Sequence, residues 1–259
     1  MEWKEWEALY KAIKRDISLN WSEDEASSRS LSALLKENRG IENFADTNRH
    51  LKEIIGGRRV YVMGAGPDLS MELDRLQSEY ENEGKSLEKG VREDIIISAD
   101  GATTELLRRG IVPDIVVTDL DGIIDDILEA NNLGSIIVVH SHGDNIGKLG
   151  DVVPRFHGKV LGTTQTDPTS FDDLFNFGGF TDGDRAAFLA HHYGAERIIL
   201  LGFNFNDVAE KIGDTSSYSP EVKFKKLAWS NILLGYIPSS ILRFYSERWN
   251  HPELDDIMF

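Results

Sequence analysis

The chain has 259 residues, of which 41% are hydrophobic, and this favours one large folded domain with a small helical appendage over a generally disordered chain. Its formal net charge of −16 argues against a nucleic-acid-binding protein, since such proteins usually present a basic face. The absence of cysteine excludes disulfides, thiolate nucleophiles and cysteine-ligated zinc, and it is consistent with a cytoplasmic protein.

Residues 1–55 are predicted to form an N-terminal helical segment. A stripe of large apolar residues at helical spacing indicates the first helix, and such a stripe is more typical of packing than of a ligand site. The stripe consists of Trp3, Trp6, Tyr10, Ile13 and Ile17. Ser22 and Glu25 have the spacing of a capping box and predict a second helix that runs through Leu35. A third helix is predicted from Asn43 to Ile55.

Residues 56–259 are predicted to form an α/β nucleotide-binding catalytic domain. Its strands are short, continuous apolar runs, as expected when helices cover both faces of a parallel sheet. They span residues 59–63, 94–98, 114–118, 135–139, 159–161 and 197–201. Helices are predicted after the first strand, over 101–109 and over 182–193. This alternation predicts a doubly wound, mostly parallel sheet, followed by C-terminal helices.

The late part of the chain contains one polar and one apolar stretch. Residues 206–223 are rich in polar residues and glycine and are predicted to form a loop. Residues 227–245 are apolar but are interrupted by polar residues and by Pro238, so we interpret them as a buried helix pair and not as a membrane span. Three of the first six residues, Glu2, Lys4 and Glu5, are charged, so we expect no secretory signal.

Acidic residues follow three of the predicted strands directly. The three segments are Asp100-Gly101-Ala102, Asp119-Leu120-Asp121-Gly122 and His142-Gly143-Asp144-Asn145. Because ligands of an open parallel sheet bind beyond the carboxyl ends of its strands, we expect the segments to converge. Carboxylate oxygens favour Mg²⁺ or Mn²⁺ over zinc, and such ions commonly serve phosphate chemistry. The alternative is that these aspartates form turns and cap helices, above all Asp100.

A glycine-rich turn, Gly64-Ala65-Gly66, follows the first predicted strand. Glycines at a strand-to-helix junction let the backbone approach a phosphate, and Pro67 suits the first position of the next helix. The turn is not a full dinucleotide fingerprint because Leu69 stands where the third glycine would be. An ordinary tight turn between strand and helix explains the glycines equally well.

His140 and His142 have two interpretations. A His-x-His pair can belong to a zinc or nickel site, but the other histidines have no matching ligand spacing. We favour Asp144 as a metal ligand or base, with His142 as a polar contact to nucleotide or phosphate. The alternative is a loop with a structural His140.

Residues 177–185 combine paired glycines, two phenylalanines and a cation ahead of a predicted helix. Thr181 and Asp184 have the spacing of a capping pair, and the glycines could form an anion-binding turn. Arg185 could stabilise the negative charge that develops during phosphoryl transfer. The phenylalanines either stack on a heterocycle or pack in the core.

In order and spacing, the segments at 100–102, 113–122 and 142–145 resemble those of the archaeal 6-hydroxymethyl-7,8-dihydropterin pyrophosphokinase family. The likeness extends over about residues 3–245. The chain is more distantly similar to thiamine pyrophosphokinase in its Asp-Gly-Ala, Pro-Asp and Asp-x-Asp elements.

The resemblance implies a Mg²⁺-dependent diphosphokinase that moves the diphosphoryl group of ATP to the hydroxymethyl group of a pterin and releases AMP, in the synthesis of folate or tetrahydromethanopterin. It implies Asp119, Asp121 and Asp144 as metal ligands, with Arg185 as a fourth catalytic candidate. The nucleotide contacts that it implies are Gly64, Ala65, Gly66, Asp100, Gly101, Thr118, His142, Gly143, Thr163, Thr164 and Gln165. The acceptor contacts that it implies are Phe177, Gly179, Thr181, Asp182 and Asp184.

The expected partners are therefore ATP and a small pterin, with neither nucleic acid nor membrane, and the expected assembly is a homodimer in the cytoplasm. Three other functions stay open. A nucleotide-sugar-dependent glycosyltransferase also uses Asp-x-Asp with a divalent ion, a related diphosphokinase could act on thiamine, and a regulator could bind the nucleotide without turnover.

Overall fold

The computed structural model describes residues 1–17, 22–82, 94–206, 219–246 and 250–252. Its first three helices are α1 (Trp3–Asp16), α2 (Asp24–Glu37) and α3 (Phe44–Ile55). The predicted apolar stripe of α1 is confirmed as packing, because four of its five members lie in the hydrophobic core. The capping box predicted for α2 is wrong, since that helix begins two residues after Ser22 with Glu23 at its N-cap.

In the described part of the chain, eight strands and six further α-helices follow. The strands are β1 (Arg59–Met63), β2 (Ile95–Ala99), β3 (Ile115–Thr118), β4 (Ile136–Ser141), β5 (Val160–Thr164), β6 (Leu174–Phe175), β7 (Arg197–Leu201) and β8 (Leu242–Phe244). The helices are α4 (Leu69–Asn82), α5 (Ala102–Arg108), α6 (Ile124–Asn132), α7 (Ile146–Val152), α8 (Asp182–His192) and α9 (Pro220–Leu234). All described strands pair in parallel in one sheet, which confirms the predicted α/β fold.

The largest error of the sequence interpretation lies near the C-terminal end of the chain. Residues 227–245 do not form a helix pair, because α9 ends at Leu234 and β8 then pairs with β7. Pro238 lies in the turn between them, where a second helix would lose a backbone donor. The sequence did not predict β6 or β8, because two or three residues are too few for a periodic signal.

The predicted loop at 206–223 can be compared with the structure only at its two ends. Residues 207–218 lie outside the described residues. Its last four residues are helical instead, because α9 begins at Pro220. Ser219 caps α9, since its hydroxyl accepts a hydrogen bond from the amide of Val222 at 3.4 Å.

The strand order is β6-β5-β4-β3-β2-β1-β7-β8. From β1 the chain adds five strands outward on one side, and it then returns to place β7 on the other side of β1. At such a reversal the loops after the two strands diverge and leave a crevice beyond their carboxyl ends. The topology therefore predicts a ligand site beyond β1 and β7.

The N-terminal helices pack into the same interior as the sheet. Trp6 of α1 lies in one hydrophobic cluster with Val60 of β1 and Phe188 of α8. On the other side of the sheet, Leu31 of α2 packs with Val139 of β4. The division at residue 55 stays a prediction. Within the described ranges, no helix has both the length and the apolar character that crossing a bilayer requires.

Candidate active site

An open cleft lies beyond the carboxyl ends of β7, β1, β2 and β3, where the strand order reverses. Its volume is about 1020 Å³ when the solvent-filled mouth is included. Turns after these strands, the start of α8 and one face of α9 line it. The lining consists of residues 64–67, 99–101, 181–183 and 202–205 together with Asp119, Asp121, Lys223, Lys226, Leu227 and Ser230. Two of the three acidic segments that were predicted to converge, those at 100–102 and 119–122, line this cleft, whereas no residue of 142–145 belongs to its described lining.

The glycine turn after β1 lines the cleft and packs against the turn after β7. A Cβ atom at Gly66 would lie 2.3 Å from the carbonyl oxygen of Gly202, and one at Gly202 would lie 2.1 Å from that of Gly64. The amides of Gly64 and Gly66 donate to the carbonyls of Leu201 and Gly202, at 2.7 and 2.9 Å. These glycines therefore allow close approach of the two turns. Helix α4 begins at Leu69, so Pro67 is not its first residue.

A carboxylate cluster forms one side of the cleft. Asp100 follows β2, Asp119 follows β3, and Asp182 is the first residue of α8. One oxygen from each carboxylate lies within 4.8 Å of the others. The resemblance implied Asp100 as a nucleotide contact and Asp182 as an acceptor contact, whereas the fold places both beside Asp119.

Local backbone geometry holds Asp100 in this cluster. Asp100 has φ of 40° and Leu120 has φ of 67°, both in the left-handed region that side chains disfavour. The hydroxyl of Thr118 donates to the Asp100 carboxylate at 2.5 Å, so Thr118 orients a carboxylate. The interpretation of Asp100 as a helix cap is wrong, because Gly101 occupies the N-cap of α5.

Basic side chains lie beside three of the carboxylates in the cleft. The guanidinium of Arg185 donates to Asp182 at 3.2 Å, and it is buried behind the cluster. The imidazole Nε2 of His142 lies 3.4 Å from an oxygen of Asp119. Lys148 binds the carboxylate of Asp121. These basic groups can offset part of the repulsion between the crowded carboxylates.

The carboxyl groups differ in how readily they ionise. Burial and the neighbouring Asp119 carboxylate raise the pKa of Asp100 to about 8, and the same two causes raise the pKa values of Asp121 and Asp182. Burial also acts to raise the pKa of Asp119, but the combined effects of His142, Lys226 and Arg185 outweigh it and hold this pKa below the usual range. Such divergence among adjacent groups is characteristic of functional sites, and a bound cation would favour the ionised form of every member.

The cluster fits a hard divalent cation. Mg²⁺ takes oxygen ligands at about 2.0–2.1 Å in an octahedron, so its ligand atoms lie within about 4.2 Å of one another. Three carboxylate oxygens already within 4.8 Å need only small side-chain shifts to reach that spacing. Asp121 lines the same cleft, and Asp144 is exposed and stands apart from the described lining. The geometry thus favours Asp100 and Asp182 over Asp144 as partners of Asp119.

The turn after β4 supports Asp119 from behind. The Asn145 side-chain amide donates to the carbonyls of Asp119 and His140, at 2.9 and 2.8 Å. The amide of Gly143 donates to the carboxylate of Asp24 at 2.8 Å, which ties this turn to α2. His142 therefore lies beside the carboxylate cluster, and neither His142 nor Gly143 belongs to the described lining of the cleft. Asn145 and Asp24 were not predicted, since their roles depend on contacts between distant segments.

Thr163, Thr164 and Gln165 lie inside the protein. The first two are the last residues of β5, and all three are buried. The Thr164 hydroxyl is 2.6 Å from that of Ser28, and the Gln165 carbonyl accepts a hydrogen bond from the Trp6 indole at 2.9 Å. These contacts bind the N-terminal helices to the sheet. They give no geometric support to the prediction of a nucleotide contact here.

The segment before α8 divides between two places. Thr181 lines the cleft, whereas Phe177 and Gly179 border a separate cavity of about 280 Å³ beside His140. The predicted capping pair is confirmed, because the Asp184 carboxylate accepts from the amides of Phe180 and Thr181 at 2.7 Å. Asp184 is fully buried and caps α8, so the geometry gives no support to its prediction as an acceptor contact.

Sequence reasoning missed two walls of the cleft. The turn at 202–205 directly follows a correctly predicted strand, so the same strand-end reasoning that singled out Asp119 would have found it. Lys223 is the last residue of the predicted loop, and Lys226 lies just before the predicted helix pair at 227–245. No local pattern indicates that α9 returns to the carboxyl edge of the sheet.

A family profile described as "6-hydroxymethylpterin diphosphokinase MptE-like" matches residues 29–210. The chain belongs to this family. The predicted family and the predicted enzyme class, a diphosphokinase, are thereby confirmed.

Archaeal relatives align with this MptE-like chain over most of its length, and each is named 6-hydroxymethyl-7,8-dihydropterin pyrophosphokinase. The Pyrococcus furiosus protein is 41% identical over 93% of this chain and 96% of its own. The Methanocaldococcus jannaschii protein is 37% identical over 93% of this chain and 98% of its own. The Methanothermobacter thermautotrophicus protein is 41% identical over 82% of each chain.

Among solved structures, MAf glycosyltransferase from Magnetospirillum magneticum AMB-1 aligns with a TM-score of 0.44 and 16% identity. The alignment covers 75% of this chain and 34% of that one. A likeness this distant supports neither a shared fold nor a shared activity.

Proposed function

We propose that this MptE-like protein transfers the diphosphoryl group of ATP to 6-hydroxymethyl-7,8-dihydropterin, with Mg²⁺ as its cofactor and AMP as the second product. The observation that carries the proposal is the carboxylate cluster of Asp100, Asp119 and Asp182 in the cleft at the strand reversal. The names of three relatives that align along most of the chain support the pterin acceptor.

Charge neutralisation and positioning do most of the work in such a transfer. Mg²⁺ would neutralise phosphate oxygens and polarise the phosphorus. Asp100, Asp119 and Asp182 would hold the ion, while Arg185 keeps Asp182 in place from behind. The hydroxyl oxygen of the pterin forms a bond to the β-phosphorus and gives up its proton to solvent, while the bond between the β-phosphorus and the α,β-bridging oxygen breaks and that oxygen leaves on AMP. The loose transition state asks little covalent help of the protein.

The Gly64–Gly66 turn and the turn at 202–205 would bring the nucleotide and the acceptor together. Because Gly64, Gly66 and Gly202 let the two turns pack closely, their backbones lie together along one wall of the cleft, where a ligand could contact them. Phe203 and Phe205 line the same wall and offer flat apolar surface to a heterocycle. Thr181 lines the cleft beside the cluster and stays among the proposed acceptor contacts.

Incubation with ATP, Mg²⁺ and 6-hydroxymethyl-7,8-dihydropterin tests the proposal. We expect AMP and a pterin that is heavier by one diphosphate, both detected by mass spectrometry, and no product when EDTA removes the metal. Thiamine and a panel of nucleotide sugars serve as parallel acceptors and donors. Formation of ADP in place of AMP, or consumption of a nucleotide sugar without ATP, would contradict diphosphate transfer to a pterin.

Mg²⁺ is expected to stabilise the protein more at pH 8 than at pH 5.5. The pKa of Asp100 is about 8 in the folded protein, against 3.8 for an ordinary aspartate, so the folded state binds more protons between these values. Stability of the metal-free protein therefore falls as the pH rises through this range. Metal binding requires the ionised carboxylate, so it strengthens with pH. Asp119 does not contribute to the difference between pH 5.5 and pH 8, because its lowered pKa keeps it ionised at both pH values.

Thermal unfolding with and without Mg²⁺ at the two pH values measures this effect. The matched control is Asp100→Asn, which should reduce the pH dependence of the Mg²⁺-induced shift; the remainder comes from Asp121 and Asp182, whose pKa values are also raised. An equal shift at both pH values in the unaltered protein would show that Asp100 does not titrate in this range.

The proposed partners are small molecules, ATP and the pterin. The cytoplasmic location and the homodimer stay predictions. No contact in the cleft favours thiamine over a pterin as acceptor, whereas the names of the relatives favour the pterin.

A further inference from the structure

One face of α9 forms a wall of the cleft. Four residues at helical spacing, Lys223, Lys226, Leu227 and Ser230, line the cavity together. The Thr181 hydroxyl lies 3.4 Å from that of Ser230, which links α9 to the start of α8. The helix is therefore positioned against the same segment that supplies Asp182 to the carboxylate cluster.

This wall carries the opposite charge to the rest of the cleft. Among the described residues that line the cavity, the acidic ones are Asp100, Asp119, Asp121 and Asp182, and the basic ones are Lys223 and Lys226. Arg185 and Lys148 bind carboxylates of the site without belonging to that lining. The cleft thus has two basic side chains on α9 and, on the turns after β2 and β3 and at the start of α8, a carboxylate cluster.

The ammonium group of Lys226 reaches inward from the helix. It lies 5.8 Å from the centre of the Phe180 ring, just before the start of α8. Lys226 also lines the cavity, so its positive charge lies on the cleft side of α9.

We propose that Lys223 and Lys226 form a polyphosphate subsite that binds the phosphate chain of the nucleotide opposite the carboxylate cluster. A polyphosphate suits both walls, because its oxygens can bind a metal ion held by carboxylates and also accept charge-assisted hydrogen bonds from ammonium groups. A neutral sugar or a pterin ring carries no negative charge that two ammonium groups would neutralise. The identity of the nucleotide as ATP rests on the proposed function, whereas the class of ligand rests on the charge of the two walls.

The experiment compares binding of ATP and AMP, each with Mg²⁺, by calorimetry. The variants are Lys223→Ala, Lys226→Ala and the double variant. Lys225→Ala is the matched control, because Lys225 lies on the same helix but donates to Asp16 at 2.9 and 3.2 Å and does not line the cleft. We expect each of these three variants to weaken the binding of ATP by roughly tenfold and the binding of AMP much less. Lys225→Ala should change neither affinity.

Three results would overturn the proposal. Unchanged ATP affinity in the double variant would show that the two lysines do not bind the nucleotide. Equal losses of affinity for ATP and AMP would mean that the lysines contact the base or the ribose, or that their replacement disturbs the fold. A lowered thermal unfolding midpoint would identify a disturbed fold. A parent protein that binds no ATP would defeat both proposals. A protein that binds ATP but makes no pterin diphosphate would contradict the proposed function alone, and the comparison of lysine variants would still decide the subsite.

Discussion

Asp119→Asn is expected to lower kcat/KM for diphosphate transfer by at least about 10³-fold while leaving the protein folded. Asp119 lies beside both Asp100 and Asp182, and it is the member of the cluster whose pKa is held low. It therefore supplies negative charge for a cation at every working pH. The asparagine keeps the shape and one oxygen but removes that charge. Steady-state rates over a range of Mg²⁺ concentrations measure the effect.

Asp144→Asn is the matched control for this substitution. Asp144 is exposed and is not part of the described cleft lining, so its replacement should change kcat/KM by less than about threefold, within the range of ordinary surface effects. Comparable losses of kcat/KM in both variants would instead support Asp144 as a metal ligand, as the family resemblance implied. Activity above a tenth of the original in Asp119→Asn would show that the cluster is not the metal site.

Gly202→Ala is expected to lower the free energy of unfolding by more than about 3 kcal/mol, since it combines backbone strain with a steric clash. Gly202 has φ of 71°, and its added Cβ would lie 2.1 Å from the Gly64 carbonyl oxygen and 2.8 Å from the Cβ of Leu69. The backbone of Gly64 on one side and the buried Leu69 on the other cannot move aside to make room for the new Cβ atom. Denaturant unfolding measures the loss, and the two turns at the base of the cleft should separate.

Gly57→Ala isolates the part of this loss that comes from the backbone conformation. Gly57 has φ of 70°, almost the same as Gly202, but a Cβ there would meet nothing within 4 Å. The substitution should therefore cost only about 1–2 kcal/mol, the usual penalty for a left-handed alanine. If the two variants lose equal stability, the crowding between the turns after β1 and β7 contributes nothing.

Local sequence patterns predicted the elements of the sheet because their causes are local. Continuous apolar runs indicated six strands buried on both faces, and all six are present, with β5 extending to Thr164. A single turn such as Asp119-Leu120-Asp121 showed that carboxylates would stand at a strand end. The pattern failed where the local signal was weak, as in the short β8, whose pairing with β7 depends on contacts across the sheet.

The choice among the acidic turns needed the strand order. Strands are spaced about 4.8 Å apart, so the turn after β4 stands about 14 Å from β1 while the turn after β2 is adjacent to it. That distance explains why Asp144 falls outside the described cleft and Asp100 inside it. Asp182 joins the cluster from the start of α8, which passes over the same edge.

By itself the sequence determined that this is an α/β protein with carboxylates at its strand ends and a likeness to pterin diphosphokinases. Only the tertiary structure decided which carboxylates meet, where the cleft opens, and that Lys223 and Lys226 face the cluster. The reason is physical: strand formation depends on neighbours along the chain, whereas the meeting of side chains depends on the order in which strands assemble.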